Sequence, residues 1–196
     1  MAPSTTSEAR ERILSAATRL FYTKGYRATG INEVIAEAGV AKATLYHHYP
    51  SKDDLGADWL RRKMADMGAA IEEIARQQAT RAERIDALFA HLEHTMADPE
   101  YRGCPFCNIS TEMPDSDHPL NAIACEHKRN VRAGIHQLLE AKAGLDAELA
   151  EDQQQFLNNA LYLLFLGASS LDLCGDRVAA VRTARRTAHC LLKHEC

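Results

Sequence analysis

The sequence has no apolar run long enough to cross a bilayer. The longest, residues 160–168, spans nine positions and includes Gly167, where a transmembrane helix needs roughly 18 or more. Residues 1–7 lack the apolar core and small-residue cleavage site of a signal peptide. The protein is therefore expected to be cytoplasmic, with no membrane partner and with 1–7 disordered. No alternation of Val, Ile, Thr and aromatics bounded by hairpin turns appears, which argues against a sheet-built fold. There is no Walker A loop, nucleophile elbow, His-Glu-x-x-His pair or Gly-rich dinucleotide loop. No enzyme activity and no cofactor are expected. Proline is scarce: of six in all, four stand at 99, 105, 114 and 119. Elsewhere little prevents the chain from being helical.

What is present is a chain of 196 residues, 46% of them hydrophobic. That length suits one or two domains and buries enough surface to fold without disulfide or metal. In a reducing compartment its six cysteines read as thiols, metal ligands or redox sensors rather than a disulfide framework. The net charge of −4 is uneven. Residues 1–63 carry ten Lys and Arg against seven Asp and Glu, while residues 64–196 carry thirteen against twenty. A basic part and an acidic part are expected to have different partners.

The pattern predicts an all-α chain. Ile13, Ala16, Ala17, Leu20 and Phe21 share one face of a helix over 8–24, with Thr5 and Glu8 as its capping pair. Short helices follow over 30–38, with Thr29 as N-cap, and over 42–49. Gly39 turns between them, and Pro50 ends the second. Ser51 with Asp54 starts a helix over 52–78, and Thr80 with Glu83 starts one ending near 98–99. Residues 99–119 read as irregular, with one short helix after Gly103. A long helix is expected over 119–143, then two more over 147–173 and 177–193. In these last two, Leu157, Leu161, Leu164, Ala168 and Leu171 form one stripe, and Val181 and Ala188 belong to a second, which Arg185 interrupts. Leu163, Phe165 and Leu166 add further apolar faces. The stripes, with Val181 and Ala188, are read as a candidate dimer interface.

Residues 29–52 hold the strongest signal. Two short helices joined by a turn containing glycine form a helix-turn-helix. Val34, Ile35, Val40 and Leu45 pack the first helix on the second. The second then presents small and polar residues (Lys42, Ala43, Thr44, Tyr46, His47) that suit the major groove of double-stranded DNA. The run from Ala38 through Thr44, Tyr46, His48, Pro50 and Lys52 to Leu55, with Phe21, Gly25 and Tyr26 before it, resembles the DNA-binding signature of the TetR family of transcriptional regulators. Further on, Arg102-Gly-Cys-Pro-Phe and Asp115-x-Asp-His-Pro119 resemble one subgroup of it. The resemblance implies an N-terminal three-helix DNA-binding domain over 1–51 and a helical ligand-binding and dimerisation domain over 52–196. It implies a homodimer on a palindromic operator, most simply a repressor released by a small-molecule inducer. By position, Thr29 would touch phosphate, Asn32, Lys42, Ala43 and Thr44 would lie near bases, and Tyr46, His48 and Lys52 would bind phosphate. Ala41 stands where the family often has serine, so a side-chain cap is lost.

Residues expected to line an inducer site are Trp59, Met64, Met67, Phe89, His91, His94, Phe106 and His127; each also suits an ordinary helical core. Cys104 and Cys107 flank Pro105 at a helix start, where a thiolate is favoured. That leaves open packing, a thiol or electrophile sensor, or a metal site completed by Cys125, His118 or His127, with His91 and His94 as another imidazole pair. A rival from a different class is a small helical enzyme or carrier with an incidental helix-turn-helix.

Overall fold

The computed structural model describes residues 6–140, 142, 144–170 and 176–193. Among these there are nine helices and no strand: α1 (Thr6–Lys24), α2 (Ile31–Ala38), α3 (Lys42–His48), α4 (Lys52–Gln77), α5 (Arg81–Met96), α6 (Pro105–Glu112), α7 (Pro119–Leu139), α8 (Glu151–Ser170) and α9 (Arg177–Lys193). None of them is long and apolar enough to cross a membrane. The chain divides into two compact units. The first comprises 1–64 and 105–125, the second 65–104 and 126–196.

In the first unit the α1 face is buried as its periodicity predicts, with Ile13, Ala17, Leu20 and Phe21 almost inaccessible. Phe21 meets the rings of Tyr26 and Trp59 edge-on at 5.0 and 5.5 Å. Tyr26 lies so close to the start of α4 that a Cβ at Gly56 would come within 2.7 Å of its ring. The Ser51 hydroxyl accepts from the Asp54 N–H at 3.0 Å while the Asp54 carboxylate accepts from Ser51 N–H. This reciprocal cap fixes where α4 begins. α1 begins at Thr6, inside the segment expected to be disordered, whereas Thr5 lies outside the described residues.

Thr29 requires a correction. The N-cap of α2 is Gly30, which makes no side-chain cap bond. Thr29 is buried, and its hydroxyl shares its proton between the carbonyls of Gly25 at 2.8 Å and Leu20 at 3.2 Å. It closes the end of α1 and cannot reach out to phosphate.

In the second unit α9 packs on α5 and α8. Arg185 breaks the α9 stripe because its guanidinium forks onto both Asp86 oxygens of α5, at 2.6 and 2.5 Å. That bond holds the Asp86 carboxyl below its ordinary range. The expected dimer stripe is also corrected. Leu157, Leu161, Ala168, Val181 and Ala188 are buried within the chain itself, and Leu164 is half-buried. The large hydrophobic residues that α8 turns outward are Phe156 and Leu163, 62% and 66% exposed. Leu171 and Cys174, like Cys196, lie outside the described residues.

A buried arginine organises one end of this unit. Arg84 donates to the carbonyls of Leu138, Ala79 and Glu140 at 2.8, 2.8 and 2.6 Å, and to Asp146 at 3.2 Å. Arg81 takes the Leu139 carbonyl, and Lys142 those of Ala75 and Gln78. The terminal carbonyls of α7 and α4 are thereby satisfied by side chains. This explains why α7 stops at Leu139 rather than at 143. Burial opposes ionisation of Asp146, but the N–H groups of Arg81 and Lys142 and the nearby guanidiniums outweigh it and lower its pKa. α5 starts on the predicted cap, with Thr80 and Glu83 bonded reciprocally, while α8 starts at Glu151, later than predicted.

Replacing Arg84 with alanine strands three carbonyls and the Asp146 carboxylate. Urea unfolding is expected to show a loss of about 3–5 kcal/mol, only partly recovered by Arg84→Lys, which lacks the planar fork.

Candidate nucleic-acid interface

α3 has seven residues and one fully buried side chain, Leu45. Gly39 adopts φ +60°, a left-handed turn in which any β-carbon would be strained, and its N–H returns to the end of α2. From α1, Arg12 donates to the carbonyls of Ala38 at 3.1 Å and Gly39 at 2.7 Å. One arginine thus fastens the turn between the two short helices. As the sequence predicts, Ala41 supplies no side-chain cap to α3.

With Leu45 inward, α3 turns Lys42, Ala43, Tyr46 and His47 outward, while Thr44 and His48 are half-buried. Lys42 Nζ stands 5.9 Å from the Tyr46 ring centre, and the His47 and His48 rings meet edge-on at 5.3 Å. Asn32 is exposed on α2. α3 contains no acid. The two acids of α2 are neutralised from α1, Glu37 by Arg19 and Glu33 by Lys24, and Lys24 holds the Glu33 carboxyl below its usual range. Elsewhere Asp58 accepts from Arg10 and from the Tyr49 hydroxyl, both at 2.6 Å. Burial and this carboxylate push the Tyr49 hydroxyl's pKa up. The arrangement offers a polyanion a helix face of one ammonium, a phenolic hydroxyl and imidazole, with the α2 carboxylates beside it already paired.

Lys52 is more committed than its motif position suggests. Its ammonium donates to the Tyr26 carbonyl at 2.6 Å and sits 4.3 Å from the Tyr26 ring centre, and burial lowers its pKa. Two of its three protons remain for other acceptors. Beside it the Tyr26 hydroxyl donates to Asp53. Glu112, at the end of α6, accepts from the Arg27 N–H at 2.8 Å, and the Arg27 guanidinium donates to the Glu112 carbonyl at 3.3 Å. These residues surround a groove of about 470 Å³. Arg12 and Glu112 were not foreseen. For Arg12 the signal was a charge next to Ile13 on the packing side of α1; Glu112 carried no local signal.

The expected inducer lining is divided between the two units. Trp59 and Phe106 in the first, and Phe89 and His127 in the second, are buried, while Met64 and Met67 are half-buried. Phe89 stacks edge-on with Phe165 at 6.2 Å. The Trp59 indole N–H has no hydrogen-bond partner among the described residues. His91 is half-buried, with its pKa lowered by burial, and His94 is exposed. Cys104 immediately precedes α6, and Cys107 lies in its first turn. Neither is joined in a disulfide, and both are partly accessible. Among the described residues no group of three His, Cys, Asp or Glu side chains is placed to hold a metal ion. Cys104, Cys107, Cys125, His118 and His127 therefore do not form the metal site entertained from sequence.

Two family profiles match the chain: "Bacterial regulatory proteins, tetR family" over residues 13–57, and "Tetracyclin repressor-like, C-terminal domain" over residues 81–188. The HTH-type transcriptional regulator LmrA of Bacillus subtilis is 30% identical over 77% of this chain and 81% of its own length. The HTH-type transcriptional repressor NemR of Escherichia coli K12 is 26% identical over 84% of each. The crystal structure of SCO4454, a TetR-family transcriptional regulator from Streptomyces coelicolor, superposes with a TM-score of 0.86 over 96% of both chains at 28% identity.

His127 makes stability depend on pH. Burial and the nearby Lys128 charge lower its pKa to about 4, against about 6.5 in an unfolded chain. Between these values the unfolded state binds more protons, so its contribution falls as pH drops from 6.5 to 4 and is complete above 6.5. Urea midpoints across this range are expected to give a decline larger by about 3 kcal/mol in the native protein than in His127→Leu.

Proposed function

This chain belongs to the TetR family of bacterial regulatory proteins, and we propose that it is a repressor that binds a palindromic operator as a homodimer and leaves it when a small molecule binds. It is a transcriptional regulator, as its relatives are. The observation that carries the finer reading is the outward face of α3: free of acid, built from Lys42, Ala43, Tyr46 and His47, and flanked by α2 carboxylates already neutralised from α1. Such a helix enters the major groove with its first residues against base edges. Lys42, Ala43 and Thr44, with Asn32, are assigned to bases; Tyr46, His47, His48 and Lys52 are assigned to the backbone.

Residues 1–51 serve as the reading head and 52–196 as the ligand-binding and dimerising part. The dimer face is reassigned to the outer side of α8, where Phe156 and Leu163 stand exposed. Two large apolar side chains in water on one helix favour burial against a second copy. Response to an inducer requires a ligand that binds one spacing of the two heads better than another. The bonds between Arg27 and Glu112 support such a response, because they tie the end of α6 to the loop before α2. Any shift of α6 is then felt where the reading helices are anchored.

The test is binding to duplexes from the gene's own upstream region, followed by fluorescence anisotropy. Affinity is expected to fall steeply with salt as counterions are released. Lys42→Ala or Thr44→Ala is expected to cost about 1–3 kcal/mol on the preferred duplex and relax its sequence preference. Tyr46→Phe should weaken all duplexes alike. Binding that ignores sequence, or a Lys42→Ala protein with unchanged preference, would overturn the assignment.

A further inference from the structure

Leu45 fixes the rotation of α3, because rolling the helix would expose it. It is fully buried, and Ala43, two positions earlier, stands about 160° around the helix from it. Ala43 is exposed and faces almost directly away from the core. Its side chain is a single methyl, with neither donor nor acceptor. Lys42 beside it is also exposed and forms no ion pair among the described residues. Its Nζ lies 5.9 Å from the Tyr46 ring centre. An ammonium has three donors and no acceptor. α3 contains no Asp, Glu, Asn or Gln. It therefore lacks the carboxylate that accepts from the cytosine amino group and the amide that pairs with adenine. The Thr44 hydroxyl bonds to donors and acceptors alike and discriminates least.

We infer that α3 selects thymine and guanine: Ala43 packs its methyl on the 5-methyl group of a thymine, and the Lys42 ammonium donates to O6 and N7 of a guanine within two base pairs of it. This rests on the reading of α3 as the helix that enters the major groove, and names what that helix recognises there. Of the four bases only thymine presents a methyl in that groove, and only guanine presents two acceptors and no donor. A one-carbon side chain at the outermost position lets the helix come close enough for contact with that methyl. A longer chain there would hold the helix off. Neighbouring Cα atoms are about 3.8 Å apart and stacked base pairs about 3.4 Å apart, so Lys42 and Ala43 address the same stretch of the groove.

Duplexes that the full-length protein selects from a random-sequence pool are resynthesised with one base analogue at a time and compared by fluorescence anisotropy at fixed salt. Uracil for the thymine removes only the methyl and is expected to weaken binding about fourfold. 7-Deazaguanine for the guanine removes the N7 acceptor and should weaken it about fivefold or more. Hypoxanthine keeps O6 and N7, lacks only the minor-groove amino group, and should bind as guanine does. In Ala43→Gly the thymine-to-uracil ratio is expected to fall to unity, and in Lys42→Ala the guanine-to-7-deazaguanine ratio likewise. Each ratio is taken within one protein, so a general weakening of either variant does not disturb it. If a variant no longer binds, the analogues on the unchanged protein decide. Selected duplexes without such a thymine and guanine, tolerance of uracil or 7-deazaguanine, or ratios unchanged in the variants overturn the inference and leave α3 a reading helix. Absence of any selected sequence overturns both.

Discussion

A helix of seven residues does not hold itself together in water. Nucleating it costs more than its few hydrogen bonds return, and α3 also lacks a side-chain cap at Ala41. Its existence depends on tertiary contacts: Leu45 buried beneath it, the left-handed turn at Gly39, and the Arg12 guanidinium bound to the two carbonyls of that turn. Everything the outward face can do rests on that fastening. α1 supplies both Arg12 and the cations that neutralise Glu33 and Glu37, so one helix both holds the reading element and sets its electrostatics. α1 is itself held on α4 by Phe21 against Trp59, and by Arg10 and Glu11 paired with Asp58 and Arg62.

The second unit uses the same device. Where helices end there, cations from other segments take the last carbonyls: Arg84 and Arg81 those of α7, Lys142 those of α4. In each case the positive group meets the negative end of a helix dipole as well as orphan acceptors. A net charge of −4 hides this. Many of the cations are inside the fold's joints, and the one left outward on α3, Lys42, is undiluted by acids on that helix.

Local chemistry made much of the fold legible. Ser51 with Asp54 and Thr80 with Glu83 marked helix starts because a capping box needs only four consecutive residues. Gly39 and Pro50 bounded α2 and α3 for equally local reasons. The helix-turn-helix, and through it the family, followed from a contiguous run. What failed needed partners far along the chain. Thr29 looks like an N-cap until Gly25 and Leu20 are seen to claim its hydroxyl. The stripe Leu157, Leu161, Ala168 is apolar with the right period, but a period says that a face is buried and not by whom. α9 and α5, not a second copy, cover it. The end of α7 depended on Arg84, more than fifty residues earlier; its only signal was a charge beside Ile85 and Leu88 on a buried face. For the candidate interface, the outward residues of α3 follow from the helical period once Leu45 is known to face in, whereas the prior commitment of Lys52 to Tyr26 is a tertiary fact.

The central claim is that two copies of α3 read one DNA site together. Selecting the purified protein against a pool of random-sequence duplexes tests it most directly. The account predicts enrichment of an inverted repeat whose half-sites lie about one helical turn apart or a multiple of it, centre to centre. Enrichment of a single unrepeated motif, or no enrichment over the starting pool, would contradict it.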